Sequence, residues 1–413
     1  RDALLSGVQV YIDGTLDDAD TTLARVVLDQ STVTAQTATV ELDEVTVTGA
    51  SSPVLDATAG SIAFLQDVTL ESPTTPLVQA ESSSVTVVGI VSIGSSASSY
   101  VLTDCQLTDL ESSYVGATVP IYDLSGTTIT TIGANYSSNL GGLVQAVGGS
   151  STLLEADFID AGSPAMIVGV DHDVTLRDFG RWIDGDRSNA GAARIQLLDG
   201  DLTIANAHVT CDAASMVDPL FVTNGGDVDI IKSTFTSTSA VPPFVLDVTA
   251  GSVLLRTVHV TTTTDLVSGF LPTMSVIEIS DGDLTLADVT LQSSNCKGAS
   301  CTAAQAVTLV RADNAFMQVE ATSTVSEGPA FALFGETEMV SGVTPFPILL
   351  GSACSADAPL QHTGPVGIAL DSTSTANVIA CGTSLFEDTA FGSCLSQGLL
   401  IDASCQLGTC KCL

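Results

Sequence analysis

The chain is short of positive charge and of aromatic residues. Of 413 residues only 11 are Lys or Arg, against 47 Asp or Glu, a formal net charge of −36. A surface with that balance repels phosphate backbones, so nucleic acid is excluded as a partner. Charged residues make up 14% and aromatic residues 5%, too few for a Lys- and Glu-rich helical exterior, which turns the reading away from helix-rich classes. No stretch reaches 18 consecutive apolar residues, so the sequence contains no membrane span. The chain starts at Arg1 without the basic and apolar regions of a signal peptide, and reads as a processed or excised segment. What is abundant is Val, Ile and Leu set among Ser, Thr and Gly. Hydrophobic residues reach 45% and recur to the end of the chain, which supplies a core and speaks against disorder.

Cysteine usage points to an oxidising compartment. Of ten cysteines, Cys354, Cys381, Cys394, Cys405, Cys410 and Cys412 fall in the last 60 residues, the pattern of a small disulfide-rich tail with fifteen conceivable pairings. Cys410 and Cys412 are too close for a C-x-x-C zinc knuckle, and the only histidine nearby is His362. Cys296 and Cys301 enclose a four-residue loop and form a further candidate pair. Cys105 and Cys211 stand in strand-like runs and read as small buried hydrophobes.

A template with apolar residues at positions 1, 3, 6 and 8 repeats along the chain. Val40, Leu42, Val45 and Val47 fit it, as do Ala63, Leu65, Val68 and Leu70. It returns with copies beginning at Leu202, Val228, Val253 and Leu284, and weaker copies begin at Val85, Tyr100, Thr127, Thr152 and Val174. Ten steps lead from Val40 to Leu284, about 24 residues apiece, a period that marks a solenoid. Before each copy comes a second apolar run and a corner of small residues, such as Pro53–Ala57 followed by Gly60-Ser61. Short alternation reads as a half-buried strand, and Gly, Asp, Asn or Ser supplies the left-handed backbone of a sharp bend. Two strands and a corner per turn predict an all-β fold, a right-handed parallel β-helix. The divisions are a strand-containing segment over 1–39 without a cap helix, the β-helix over 40–378, and the Cys-rich segment over 379–413. Leucine-rich repeats lack their consensus here, and the step is too short for propeller blades.

These coils resemble the pectin-lyase-like right-handed β-helix superfamily over about Val40 to Val378, through apolar spacing and Gly corners. The resemblance implies the fold and leaves the reaction open, since that scaffold carries lyases, hydrolases, adhesins and structural proteins.

Several residue groups carry chemistry in principle. Asp13, Asp17, Asp18 and Asp20 offer oxygen ligands for calcium without matching an EF-hand, and equally suit a solvated acidic loop. The stretch from Asp171 to Arg194 holds Asp171, Asp173, Arg177, Arg181, Arg187 and Arg194, half of the eight arginines, with the only tryptophan, Trp182. A lyase of the resembling superfamily would use carboxylates for calcium, an arginine as base and an aromatic platform, so Asp171, Asp173, Arg177, Arg181 and Trp182 form the alternative carbohydrate site. The plainer reading is a loop tied by Arg–Asp pairs. His208 and His259 read as outward strand positions. The Asp199-Gly200-Asp201 and Asp281-Gly282-Asp283 corners suit divalent ions, but turn chemistry explains them fully. No complete catalytic set is present.

Outward positions rich in Thr and Ser, together with the sequon at Asn135-Tyr136-Ser137, predict O- and N-linked glycans. The expectation is a secreted, non-enzymatic structural or adhesive β-solenoid of an extracellular surface or filament. It needs no cofactor, takes calcium at most, and associates end to end with itself or with other extracellular proteins. The alternative is a polysaccharide-cleaving or carbohydrate-binding β-helix.

Overall fold

The computed structural model describes residues 3–13, 20–159, 166–178, 181–184, 194–211, 220–239, 246–264, 275–294, 308–326, 329–341, 361–363, 366–370, 377–380, 385–387, 390–391 and 411–412. Every regular element among them is a β-strand. The chain forms two compact units, Arg1–Gly185 with Arg194–Leu202, and Asp186–Ala193 with Thr203–Leu413. Each is a parallel β-helix.

In most coils of the first unit there are three strands, where the sequence reading expected two; in two coils the first two run together as Tyr122–Ile132 and Val144–Leu154. Leu55–Thr58 pairs in parallel with Thr32–Gln36 and Val78–Glu81. Ile62–Gln66 pairs with Thr39–Asp43 and Ser84–Val88, and Thr69–Glu71 pairs with Thr46–Thr48 and Val91–Ile93. The difference arises because the 1-3-6-8 template covers two strands: Val40 and Leu42 lie on Thr39–Asp43, Val47 on Thr46–Thr48. The apolar run before each copy is the third. Segment 1–39 pairs into the same sheets, with Ala3–Ser6, Gln9–Asp13 and Asp20–Ala24 on Val26–Asp29, Thr32–Gln36 and Thr39–Asp43.

The three-residue gap between template positions 3 and 6 has a backbone cause. Strand side chains alternate with period two, so two inward residues three apart need one residue that breaks the alternation. Position 5 does so in the left-handed region: Glu44 (φ 50°), Asp67 (51°), Gly89 (64°), Glu111 (53°), Gly133 (68°), Glu155 (52°). The next residue, Val45, Val68 or Ile90, turns inward and is buried. The corner N–H still bonds to the next coil, from Asp67 to the Val88 carbonyl (2.9 Å) and from Glu111 to the Ile132 carbonyl (2.8 Å). Left-handed backbone costs an L residue about 1–2 kcal/mol; here the inward neighbour and this hydrogen bond offset it, so glutamates serve at this second corner, inside the template and apart from the small-residue corner that precedes each copy.

Backbone register also corrects three of the weaker copies. Leu107, Ile129 and Ser151 occupy position 1, rather than Tyr100, Thr127 and Thr152. Tyr100 lies on another sheet, stacked on Val78 and Tyr122. In the second unit Val228, Val253, Leu284 and Met317 follow one another in register. The inward template residues of these coils are buried, among them Val228, Ile230, Val253, Leu255, Leu284, Leu286, each large side chain contributing about 1.5–3 kcal/mol.

Hydroxyl residues are not confined to the exterior. Thr127 Oγ1 donates to the Ser125 carbonyl (3.0 Å) and accepts the Cys105 N–H of the preceding coil (3.2 Å). Ser112 and Ser233 accept the N–H groups of Ile90 and Ala207 in the same way. A buried hydroxyl after the corner thus satisfies backbone that the bend would leave unpaired. Cys105 forms no disulfide and is buried, as expected, between strands Tyr100–Thr103 and Gln106–Leu110. Cys211 ends strand His208–Cys211, and its side chain lies outside the described residues.

Candidate functional site

Position 3 of the template is apolar in most coils of the first unit: Leu42, Leu65, Val87, then Leu153 and Leu176. Two successive coils break the column with Asp109 and Thr131, which stand in register, both with no solvent exposure. Position 8 changes in these two coils and their neighbours, where Ser92, Tyr114, Tyr136 and Phe158 stand in register. Tyr100 and Tyr122, in register on a second sheet, complete a polar insert inside the tube.

The tyrosines stack along the coil axis, Tyr100 on Tyr122 with ring centroids 5.2 Å apart, Tyr114 on Tyr136 at 5.6 Å, and Tyr136 on Phe158 at 5.3 Å. Their hydroxyls converge on the carboxyl group. Tyr114 donates to Asp109 Oδ2 at 2.6 Å and Tyr122 donates to the same oxygen at 2.5 Å. Tyr100 pairs with Tyr114 at 2.7 Å and Tyr136 with Tyr122 at 3.0 Å, giving one chain of five groups with Asp109 at its centre. Asp109 Oδ1, Thr131 Oγ1 and Ser92 Oγ are buried without a protein hydrogen-bond partner. Burial pushes the Asp109 carboxyl up from 3.8, opposed by the nearby Ser112 hydroxyl and by the bonds from Tyr114 and Tyr122. Desolvating an ion costs several kcal/mol, and each charge-assisted hydrogen bond returns about 1.5–3 kcal/mol. Burial holds all four tyrosine hydroxyls above their usual range, and a charge on Asp109 would raise them further.

A second constellation lies on the second unit. Asp247, Glu278 and Arg311 stand in register on successive strands, Leu246–Thr249, Ser275–Ser280 and Thr308–Asp313. Arg311 Nε lies 3.6 Å from Glu278 Oε1, and its guanidinium carbon lies 4.5 Å over the Phe334 ring. Burial raises both carboxyls; for Glu278 the Arg311 charge opposes it.

The residues singled out in sequence fall as follows. Asp171 is a left-handed corner (φ 50°), and Asp173 and Arg177 are exposed. They share one face of Asp173–Arg177, about 13 Å apart by strand rise. Asp173 Oδ1 accepts the Asp201 N–H (3.1 Å). Arg181 and Trp182 lie on strand Arg181–Asp184, in backbone register with Asp157 and Phe158; their side chains lie outside the described residues, as does Arg187. Arg194 is buried.

Between these, His172 is buried inside the coil. Its Nδ1 faces the Gly148 carbonyl at 2.8 Å, so that nitrogen carries the proton, and Nε2 accepts from Ser151 Oγ at 2.7 Å. Both ring nitrogens are satisfied in the neutral form, and burial lowers the imidazole from 6.5.

His208, His259 and Asn135 are exposed. Asn135 lies on Asn135–Ser137 between Ser113 and Asp157. Asp199 and Asp281 are left-handed corners (both φ 55°). A Cβ on Gly200 or Gly282 would lie 2.2 Å from the carbonyl of His172 or Gly251, so close stacking of the turns calls for those glycines. Asp17 and Asp18 lie outside the described residues, as do the side chains of Asp13 and Asp20, on strands Gln9–Asp13 and Asp20–Ala24. Also outside are Cys296, Cys301, Cys354, Cys381, Cys394, Cys405 and Cys410; Cys412 belongs to strand Lys411–Cys412 without a described side chain.

The tyrosine chain escaped the sequence reading because copies begun at Tyr100, Thr127 and Thr152 put Asp109 out of phase. A signal was present: Tyr100 to Tyr122 and Tyr114 to Tyr136 are each separated by 22 residues, the local coil step. Neither the profiles of known protein families nor the curated proteins match this chain.

Proposed function

We propose that the chain is a secreted, non-enzymatic structural or adhesive β-solenoid, a glycosylated element of an extracellular surface or filament. The observation that carries this reading is the alignment of outward polar residues from coil to coil. Thr236, Thr261 and Gln292 are exposed and in register. Thr234, His259, Thr290 and Ser323 form a parallel row. Such rows suit repeated weak contacts and sugar attachment. The net charge of −36 keeps the subunits soluble and attracts divalent cations. Electron microscopy of native material, with intact mass before and after deglycosylation, tests the proposal. Ordered assemblies and a mass loss are expected; dispersed monomers at the bare polypeptide mass sink it.

A carbohydrate-cleaving reading is favoured by one observation, the Asp247–Glu278–Arg311 row, where carboxylates on two adjacent coils are followed by a cation on the third. Calcium-dependent uronate release that disappears in both Glu278→Gln and Arg181→Ala would replace the structural reading.

A further inference from the structure

We propose that Asp109 folds as the neutral carboxylic acid and acts as a proton lock on the tyrosine-lined coils, so that its contribution to the stability of the first unit increases as pH falls. The geometry carries the argument. Oδ2 is occupied by two tyrosine hydroxyls at 2.6 and 2.5 Å, whereas Oδ1 is buried with no partner. An ionised carboxylate would leave its second oxygen charged and unsolvated. A proton on Oδ1 removes the charge and turns the atom into a donor. Thr131 Oγ1, buried on the next coil without a hydrogen bond of normal geometry, stands in register with Asp109 on the same inner face, where one water suffices to link the donor to it.

The groups facing Asp109 supply no counter-charge. Its titratable neighbours are Tyr100 and Tyr122 on one sheet and Tyr114 and Tyr136 on another, all neutral. Its own column presents Val87 on one side and Thr131 on the other, and Ser112 lies at the adjoining corner. No Lys, Arg or His enters this cluster among the described residues. The sign follows from linkage. The unfolded chain releases the Asp109 proton near 3.8, and the folded chain only at a higher pH. The stability it contributes is therefore complete below 3.8, falls as pH rises between the two values, and stays low above the folded one.

Infrared difference spectroscopy of the full chain tests the lock, comparing wild type with Asp109→Asn and with Asp109→Leu, the residue that Leu65 and Leu153 place in this column. Folded wild type is expected to show a protonated-carboxyl carbonyl band at a pH where the surface carboxylates are ionised, and either folded variant to lack it. The melting midpoint of the variant relative to wild type should rise with pH by several degrees and then level off. Absence of the band in wild type, its persistence in a folded variant, or a midpoint difference independent of pH would overturn the proposal. The wild-type band remains readable if one variant does not fold.

Discussion

At His172 an imidazole sits beside the Asp171 corner, held by the Gly148 carbonyl and the Ser151 hydroxyl. Protonating Nε2 would set a donor against a hydroxyl that now donates, inside a tube with little solvent. The folded value lies below the ordinary 6.5, so the stability His172 contributes is complete above 6.5 and is lost as pH falls from there towards the folded value. This slope opposes that of Asp109 and is separable from it. Urea midpoints of His172→Gln followed from pH 7 to 4 should lack the acid-side loss seen in wild type. At pH 7 the same variant should lose about 1–3 kcal/mol through the partners it leaves unpaired; equal slopes in the two proteins would show that His172 does not titrate on unfolding.

At the level of strands and corners, stability depends on how closely successive turns approach. Gly60 and Gly149 share a φ of 80°, but a Cβ at Gly60 meets nothing within 4 Å, whereas one at Gly149 would lie 2.1 Å from the Thr127 carbonyl oxygen. Gly60→Ala is expected to cost only the left-handed penalty, about 1–2 kcal/mol. Gly149→Ala adds a clash with backbone, a further 1–3 kcal/mol or so, and equal urea midpoints for the two would show that the turns can separate freely. Leu65, fully buried between Leu42 and Val87, should lose about 2–5 kcal/mol on truncation to Ala, measured the same way. The inward pattern of such strands was legible in sequence because Val and Leu recur at positions 1 and 3. The corners were only partly legible. Glu111 and Glu155 adopt left-handed backbone for the sake of the inward residue that follows, which no local preference announces.

Over the whole molecule, like charges dominate. Among the described residues the exposed Arg25–Glu44 pair spans 3.8 Å with both side chains more than half exposed, a contact worth at most about 1 kcal/mol. Against it stands a net charge of −36, whose self-repulsion opposes the compact state. Screening shortens from about 10 Å at 0.1 M salt to about 3 Å at 1 M, so the melting midpoint should climb with sodium chloride. A fall over that range would mean that the ion pairs outweigh the repulsion.

Composition and spacing alone determined the repeat, the parallel β-helix class and the inward face of the well-marked coils, since a period-two pattern interrupted every two dozen residues has few other ways to bury its Val, Leu and Ile. Tertiary structure decided the third strand of each coil and the register of the Ser- and Thr-rich copies. Hydroxyls are accepted both inside the bend and outside the sheet, so their pattern does not distinguish the two faces. Only closure of the coil could show that Asp109 occupies a core position and that tyrosines from two sheets meet on one of its oxygens, because those contacts depend on where the chain returns after each turn.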